Sequence, residues 1–308
     1  QGNGTLAAHV DYGVGKGTSV AIGDLNGDGR PDVAVSNGGG MANLLGGDVN
    51  SVAVFFNRGR GVLSASMDVA TGVGPRAAAI GDMNGDHRPD LVAVNYTDQT
   101  VSVLVNQGGG TFAAHVDYPA GSMPWSLALG DVNGDGLPDV AVPDYGGAAR
   151  VLLNRSGGAL SAPLAYPVGT QPVAAAIGDL NGDAAPDLAV ANSADDTVTV
   201  LLNHGGGTFA VGPSHGVGTH PNDVAIGDLD GDGNADLVVA DQDFSSQSGI
   251  TVLLNKGDGT FPTRMDFGSG PGPSSLALAD FNGDRALDVA VVNSGGDTIS
   301  VLLNKGCH

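Results

Sequence analysis

Asp24-Leu25-Asn26-Gly27-Asp28-Gly29-Arg30-Pro31-Asp32 runs directly into Val33-Ala34-Val35. Its side-chain oxygens fall at positions one, three, five and nine. A hard cation such as calcium takes about six to eight oxygen ligands at about 2.3–2.6 Å. Three short carboxylates and an amide on one tight turn supply most of such a shell.

The stretch recurs at 82–90, 131–139, 179–187, 228–236 and 280–288, which makes six copies in one chain. Positions one, five and nine are always Asp, and position four is always Gly. Position three is Asn except at Asp230. Position seven has no pattern, so any contribution it makes is through its backbone carbonyl, as at the comparable position in the helix-flanked calcium loop. The candidate ligands of the first copy are Asp24, Asn26, Asp28, Arg30 and Asp32. Those of the second are Asp82, Asn84, Asp86, Arg88 and Asp90, and of the third Asp131, Asn133, Asp135, Leu137 and Asp139. The fourth offers Asp179, Asn181, Asp183, Ala185 and Asp187. The fifth offers Asp228, Asp230, Asp232, Asn234 and Asp236, and the sixth Asp280, Asn282, Asp284, Ala286 and Asp288. Six calcium ions are expected, one per repeat. Turn formation alone explains Asp, Asn and Gly, but it does not demand three Asp at fixed alternation six times. Position six is Gly29, Gly136 and Gly233, but His87, Ala184 and Arg285 elsewhere. If that position needs a positive φ, the second, fourth and sixth loops carry strain and bind more weakly.

Composition agrees. All 33 acidic residues are Asp, with three in each loop and a fourth at Asp230, so the net charge of −21 is concentrated where a cation would sit. The absence of Glu removes the bidentate ligand and the helical flanks that a helix-flanked calcium loop needs. The 12 Lys and Arg residues are scattered, so no nucleic-acid partner is expected. The one cysteine, Cys307, makes no internal disulfide. No apolar run is long enough to insert in a membrane. The chain starts at Gln1 without a signal-peptide pattern and is read as a mature or excised segment.

The loops recur at steps of 58, 49, 48, 49 and 52 residues, a period of propeller blades or solenoid units. A short β-branched run precedes each loop (Ser19–Ile22, Ala77–Ile80) and another follows it (Leu91–Val94, Val140–Val142). A third strand ends at Asn57, Asn106, Asn154, Asn203, Asn255 and Asn304. A weaker, more polar fourth begins Gly-Thr-Phe in three copies, at Thr111-Phe112, Thr208-Phe209 and Thr260-Phe261. The expected fold is all-β, a single six-bladed β-propeller domain over 1–308 with four-stranded blades. Ala7–Tyr12 repeats Ala113–Tyr118 letter for letter, so the N-terminal strand, Thr5–Asp11, is expected to complete the last blade. Two connections are extended: Asn37–Ser51, holding Met41, Leu44 and Leu45, and Asp241–Ser248.

Asp-Leu-Asn-Gly-Asp-Gly-x-Pro-Asp followed by Val-Ala-Val resembles the FG-GAP/VCBS repeat, the calcium-binding blade of integrin α-subunit propellers and of many secreted bacterial proteins. The resemblance covers essentially the whole chain. It implies that the loop joins the first two strands of a blade and that Asp24, Asn26, Asp28, Asp32 and their equivalents hold calcium on one face. Integrin propellers have seven blades and only some carry the loop, whereas this chain has six and all carry it.

The end of each blade opposite the calcium loop is then the place for a ligand. Trp125, the one tryptophan, lies on a blade-to-blade connection, with Tyr96 and Tyr145 on flanking loops. Aromatic rings beside Asn and Asp suit a sugar, and the family includes lectins. The competing reading makes Trp125 a packing residue between blades. A glycan or protein ligand is expected, bound by a monomeric, calcium-stabilised, secreted or cell-surface adhesion module. A carbohydrate-active, polysaccharide lyase-like site is the alternative, built from Arg76, His220, Asp243 and Phe244. The seven His residues form no zinc pattern, and no Ser or Cys nucleophile motif occurs.

Overall fold

The computed structural model describes residues 10–14, 16–38, 50–242 and 249–306. The described residues hold β-strands and turns with no α-helix, hence none long and apolar enough to cross a membrane. The fold is a six-bladed β-propeller, and the chain divides into two compact units, Asp11–Ala165 and Tyr166 onward.

In the first unit, blade 1 is β1 (Gly17–Gly23), β2 (Asp32–Asn37), β3 (Ser51–Phe55) and β4 (Met67–Ala70), paired in that order. Blade 2 is β5 (Pro75–Gly81), β6 (Asp90–Asn95), β7 (Thr100–Leu104) and an outer strand, β10 (Val116–Pro119). A two-stranded hairpin, β8 (Asn106–Gly108) with β9 (Thr111–Phe112), precedes that outer strand. Blade 3 is β11 (Ala128–Gly130), β12 (Asp139–Asp144), β13 (Ala148–Leu152) and β14 (Leu164–Pro167).

In the second unit, blade 4 is β15 (Pro172–Gly178), β16 (Asp187–Asn192), β17 (Thr197–Asn203) and β18 (Phe209–Gly216). Blade 5 is β19 (Pro221–Gly227), β20 (Asp236–Asp241), β21 (Gly249–Leu254) and β22 (Thr263–Gly268). Blade 6 has three described strands, β23 (Pro273–Ala279), β24 (Asp288–Asn293) and β25 (Thr298–Leu302). Most of the strand expected to complete it, residues 5–9, lies outside the described residues, as do Met41, Leu44, Leu45 and most of the Asp241–Ser248 extension.

Neighbouring strands pair antiparallel, and the loop residues sit at the β1–β2 type of turn, with Gly23 opposite Asp32 and Gly178 opposite Asp187. The second strands lack polar alternation because both faces are covered: β6, β12, β16 and β20 are buried throughout. Their apolar side chains fill the space between adjacent sheets. Leu25, Val52 and Val54 of blade 1 pack with Ala78, Leu91 and Leu104 of blade 2, and Met83, Val92 and Val103 pack with Val140 and Leu152 of blade 3. In the second unit Val238, Ile250 and Val252 pack with Val289 and Val291. Each such side chain contributes about 1.5–3 kcal/mol when fully buried. Close packing of first strands leaves no room for a side chain at Gly23, where a Cβ would meet Ile80 at 2.9 Å.

Two boundaries differ from expectation. Five of the six third strands stop short of their closing Asn, whose N–H donates to the ninth aspartate of its own loop in every blade, including blade 4, where the strand reaches it. The Gly-Thr-Phe stretch does not open the outer strand in blades 2 and 5. Phe209 and Phe261 turn inward and are buried, and in blades 2 and 5 the outer strand starts only after this plug.

Candidate metal loops and an aromatic corner

Each nine-residue loop is wound around its first aspartate. In the first copy Asp24 Oδ1 accepts the N–H groups of Gly27 at 2.8 Å and Asp28 at 3.1 Å, and Oδ2 accepts Gly29 N–H at 2.7 Å. Asn26 Oδ1 accepts the N–H of Asp28 at 2.9 Å, and Asp28 Oδ1 that of Arg30 at 3.0 Å. Loops 2, 3 and 6 repeat this scheme, with Asp82, Asp131 and Asp280 in the place of Asp24. Winding this tightly forces position six into the left-handed region in every copy: φ is 79° at Gly29, but also 65° at His87, 68° at Ala184 and 75° at Arg285.

The second residue of the loop points the other way. Leu25, Met83, Val132 and Leu180 are buried beneath the turn and anchor it to the core. The ninth residue is buried too: Asp32, Asp90, Asp139, Asp187, Asp236 and Asp288 are at most 1% exposed. One of its oxygens accepts the N–H of position two, as from Leu25 to Asp32 at 2.9 Å and from Met83 to Asp90 at 2.8 Å. The other accepts the N–H of the Asn closing the third strand, as from Asn57 to Asp32 and from Asn106 to Asp90, both at 2.7 Å.

The charges separate accordingly. At part-buried Asp24, burial pushes the pKa up, but the N–H groups of Gly29, Gly27 and Asp28 together outweigh it and hold the carboxyl below its ordinary value. Burial pushes Asp139 up to about 6 against the N–H groups of Asn154 and Val132, with Asp135 and Asp131 adding repulsion. Burial likewise raises Asp90, Asp187 and Asp236. The ninth carboxylate therefore sits where a cation relieves both desolvation and repulsion.

The donor set is all oxygen, which suits a hard cation. In loop 5, Asp228, Asp230 and Asp236 bring carboxylate oxygens within 4.8 Å of one another. In the other loops Asn replaces one of these carboxylates, and its amide oxygen faces the same turn. The fifth-position carboxylate is already engaged: Arg30 pairs with Asp28 and Arg88 with Asp86, while Asn84, Asn133 and Asn282 donate Nδ2 to Asp86, Asp135 and Asp284. These ion pairs are half exposed, and such pairs are worth only about 0–1 kcal/mol, so a divalent ion competes with them easily.

At the other end of blades 2 and 3, the first unit gathers the three aromatic residues singled out from sequence. Tyr96 follows β6, Tyr145 follows β12, and Trp125 precedes β11, held by a hydrogen bond from its N–H to Pro143 O at 3.2 Å. The Tyr96 and Trp125 ring centroids are 5.9 Å apart, edge to face, and those of Trp125 and Tyr145 are 5.5 Å apart and nearly parallel. Tyr96 Oη donates to Met123 Sδ at 3.2 Å. Arg76, on β5, lays its guanidinium 3.2 Å over the Trp125 ring. All four side chains are part-exposed. Below them Asp144 is buried and pairs with Arg150, fixing the corner. A shallow neighbouring hollow is lined by Thr18, Pro75, Arg76, Tyr96 and Thr97.

Of the lyase-like alternative, Arg76 belongs to the first unit and His220 to the second. Arg76 is committed to Trp125, and Asp243 and Phe244 lie outside the described residues. Sequence reasoning placed Arg76 at this end of the blades but missed its stacking. The signal lay in the alignment of blades: Arg76 and Trp125 each follow a proline, Pro75 or Pro124, that pairs with the last residue of the second strand, Asn95 or Asp144.

FG-GAP-like repeats match residues 82–142, 131–190, 179–239 and 228–291, and an FG-GAP repeat matches 16–55. No curated protein matches the chain by sequence. Among solved structures, an Agrocybe aegerita lectin that recognises non-reducing terminal N-acetylglucosamine is 21% identical at a TM-score of 0.61, covering 92% of this chain and 79% of the lectin. A periplasmic gluconolactonase of Pseudomonas aeruginosa is 19% identical at a TM-score of 0.64, covering 98% of this chain and 83% of the enzyme. BBS1N, in a complex with ARL6DN, is 16% identical at a TM-score of 0.59, covering 89% of this chain and 75% of that one. At these identities the likeness is one of fold.

Proposed function

The chain belongs to the FG-GAP-like repeat family, and from that premise we propose that it is a calcium-stabilised module that binds a glycan through the corner formed by Tyr96, Trp125, Tyr145 and Arg76. The calcium ions are held by the carboxylates and amides of positions one, three, five and nine and by the position-seven carbonyl. They neutralise the crowded aspartates and pin the turn between the first two strands. Their role is structural. Extracellular sites of this kind work at about 10⁻⁴–10⁻³ M calcium, so a secreted or cell-surface location goes with this reading.

The observation that carries the ligand reading is the aromatic corner itself. A sugar presents apolar C–H faces and a rim of hydroxyls. Tyr145 and Tyr96 offer ring surface, and Arg76 offers directed N–H donors. Arg76 already covers Trp125, so the indole acts here by orienting the guanidinium and the tyrosines. A lectin of like fold recognises non-reducing terminal N-acetylglucosamine, which supports a glycan as the ligand class. A glycan array probed in millimolar calcium, run beside an assay for release of unsaturated sugars, tests the proposal. Binding without turnover supports it; turnover, or capture of no glycan by calcium-loaded protein, overturns it.

A further inference from the structure

We propose that neighbouring calcium loops are coupled, so that filling one tightens the next, and that the Asn closing each third strand carries the coupling; this rests on the calcium reading above. In four places the side chain of that Asn reaches back into the loop of the preceding blade. Asn106 Nδ2 donates to Leu25 O at 2.8 Å, Asn154 Nδ2 to Met83 O at 2.8 Å, Asn255 Nδ2 to Leu180 O at 2.7 Å and Asn304 Nδ2 to Leu229 O at 2.6 Å. The acceptor is each time the carbonyl of loop position two. The second amide proton goes to position eight of the Asn's own loop, as from Asn106 to Pro89 O at 2.9 Å.

These bonds join the ninth-position aspartates into chains. In the first unit Asp32 accepts Leu25 N–H, Leu25 O accepts Asn106 Nδ2, and Asn106 N–H donates to Asp90. Asp90 accepts Met83 N–H, Met83 O accepts Asn154 Nδ2, and Asn154 N–H donates to Asp139. The second unit repeats the sequence from Asp187 through Asn255 and Asp236 to Asn304 and Asp288. One peptide unit and one asparagine separate each candidate ligand from the next.

Asn106 and Asn154 are 2% exposed and Asn255 is 4% exposed, so water does not compete for these bonds. A cation that fixes Asp90 fixes the Asn106 backbone, hence its amide, hence the Leu25 peptide that positions Asp32. The ordering cost of the first loop is then already met when an ion enters the second, which is positive coupling through conformational entropy. Linkage makes the effect reciprocal between the two loops. Only Asn has the reach and the paired donors: Asp would face two carbonyls with oxygens, and Ala would leave both carbonyls unpaired.

The test is a calcium titration of the full chain followed by amide NMR. Each loop is read through its position-four glycine, whose N–H donates to the first aspartate. Loop 3 is blocked with Asp131→Asn/Asp135→Asn, and the calcium midpoint of loop 2 is read at Gly85. Blocking loop 3 is expected to raise that midpoint about fivefold or more, and Asn154→Ala is expected to abolish the dependence of loop 2 on loop 3. Should Asn154→Ala fail to fold, the half-exposed Asn304→Ala serves, with loop 6 blocked by Asp280→Asn/Asp284→Asn and loop 5 read at Gly231. A loop 2 midpoint that ignores the block, with the other glycines still titrating, overturns the coupling and leaves the calcium reading standing. If no loop glycine responds to calcium in the unaltered chain, both fall.

Discussion

Arg76 and Trp125 occupy the same place in adjacent blades, one residue after a proline that pairs with the end of the second strand, and the guanidinium of one lies 3.2 Å over the ring of the other. A half-desolvated cation–π contact of this kind is worth roughly 1–2 kcal/mol. It sets the orientation of both groups, and Tyr96 and Tyr145 pack around them. Trp125→Ala therefore removes the support of the corner without touching a loop. Glycan capture is expected to be lost while the calcium-dependent rise in melting temperature persists, measured by array binding and differential scanning calorimetry on one preparation. Capture by Trp125→Ala at the level of the unaltered chain would sink the proposed site.

Arg76→Lys keeps the charge but loses the planar stack and the fixed fork of donors. Glycan affinity is expected to fall about tenfold or more, with a change in melting free energy of less than about 1 kcal/mol. Isothermal titration and chemical denaturation read the two effects separately.

Position six of the loop has a positive φ whether or not it is glycine, so His87, Ala184 and Arg285 are strained. A left-handed non-glycine residue costs roughly 1–2 kcal/mol, and glycine returns part of that gain as unfolded-state entropy. Ala184→Gly is expected to stabilise the calcium-loaded chain by about 0.5–1 kcal/mol. Gly136→Ala, at the same position, where φ is 87°, should destabilise it by a similar amount. Urea unfolding in calcium checks both signs.

Blade 5 carries a buried acid where blades 1, 2, 4 and 6 carry an amide. Asn95, Asn192 and Asn293 donate Nδ2 to hydroxyls of the third strand, but Asp241 meets Thr251 there at 2.8 Å. Thr251 Oγ1 also lies 2.8 Å from Asp266 and has one proton for two carboxylates, so Asp241 supplies the other. Burial pushes Asp241 up to about 7, with Thr251 and Arg264 opposing and Asp266 adding to the rise. The folded chain then keeps a proton that the unfolded chain loses near its ordinary value of 3.8. Stability is expected to fall as pH rises through that window, by up to roughly 1.4 kcal/mol per unit, and to level off above it. Asp241→Asn restores the amide and should flatten the contribution, which makes the variant the more stable form at pH 8. Equal pH slopes for the two proteins would refute the assignment.

Much of this was legible because one loop is written six times. The invariant Asp positions gave the blade count and the candidate metal ligands, and Gly29, Gly136 and Gly233 pointed to a positive φ at position six. The gathering of Tyr96, Trp125 and Tyr145 followed from blade order. What stayed hidden depends on side-chain direction. The closing Asn of the third strand is visible in all six copies, yet its string does not say that the amide reaches into a loop 81 positions away, as Asn106 does to Leu25. Gly-Thr-Phe reads as the head of a strand by propensity, which holds at Phe209 in blade 4, but in blade 5 the buried Phe261 precedes the outer strand as a plug. Arg76 reads as a member of a candidate lyase-like group, and only the neighbouring blade shows the indole under it.

Calcium is the premise on which the loops, their coupling and the binding end all depend, and melting of the full chain in chelator against millimolar calcium tests it most directly. One ion at a hundred times its dissociation constant adds about 2.7 kcal/mol if it binds only the folded chain. With several loops filled, the melting temperature is expected to rise by more than about 5 °C. Superimposable melting curves in the two conditions would contradict the account.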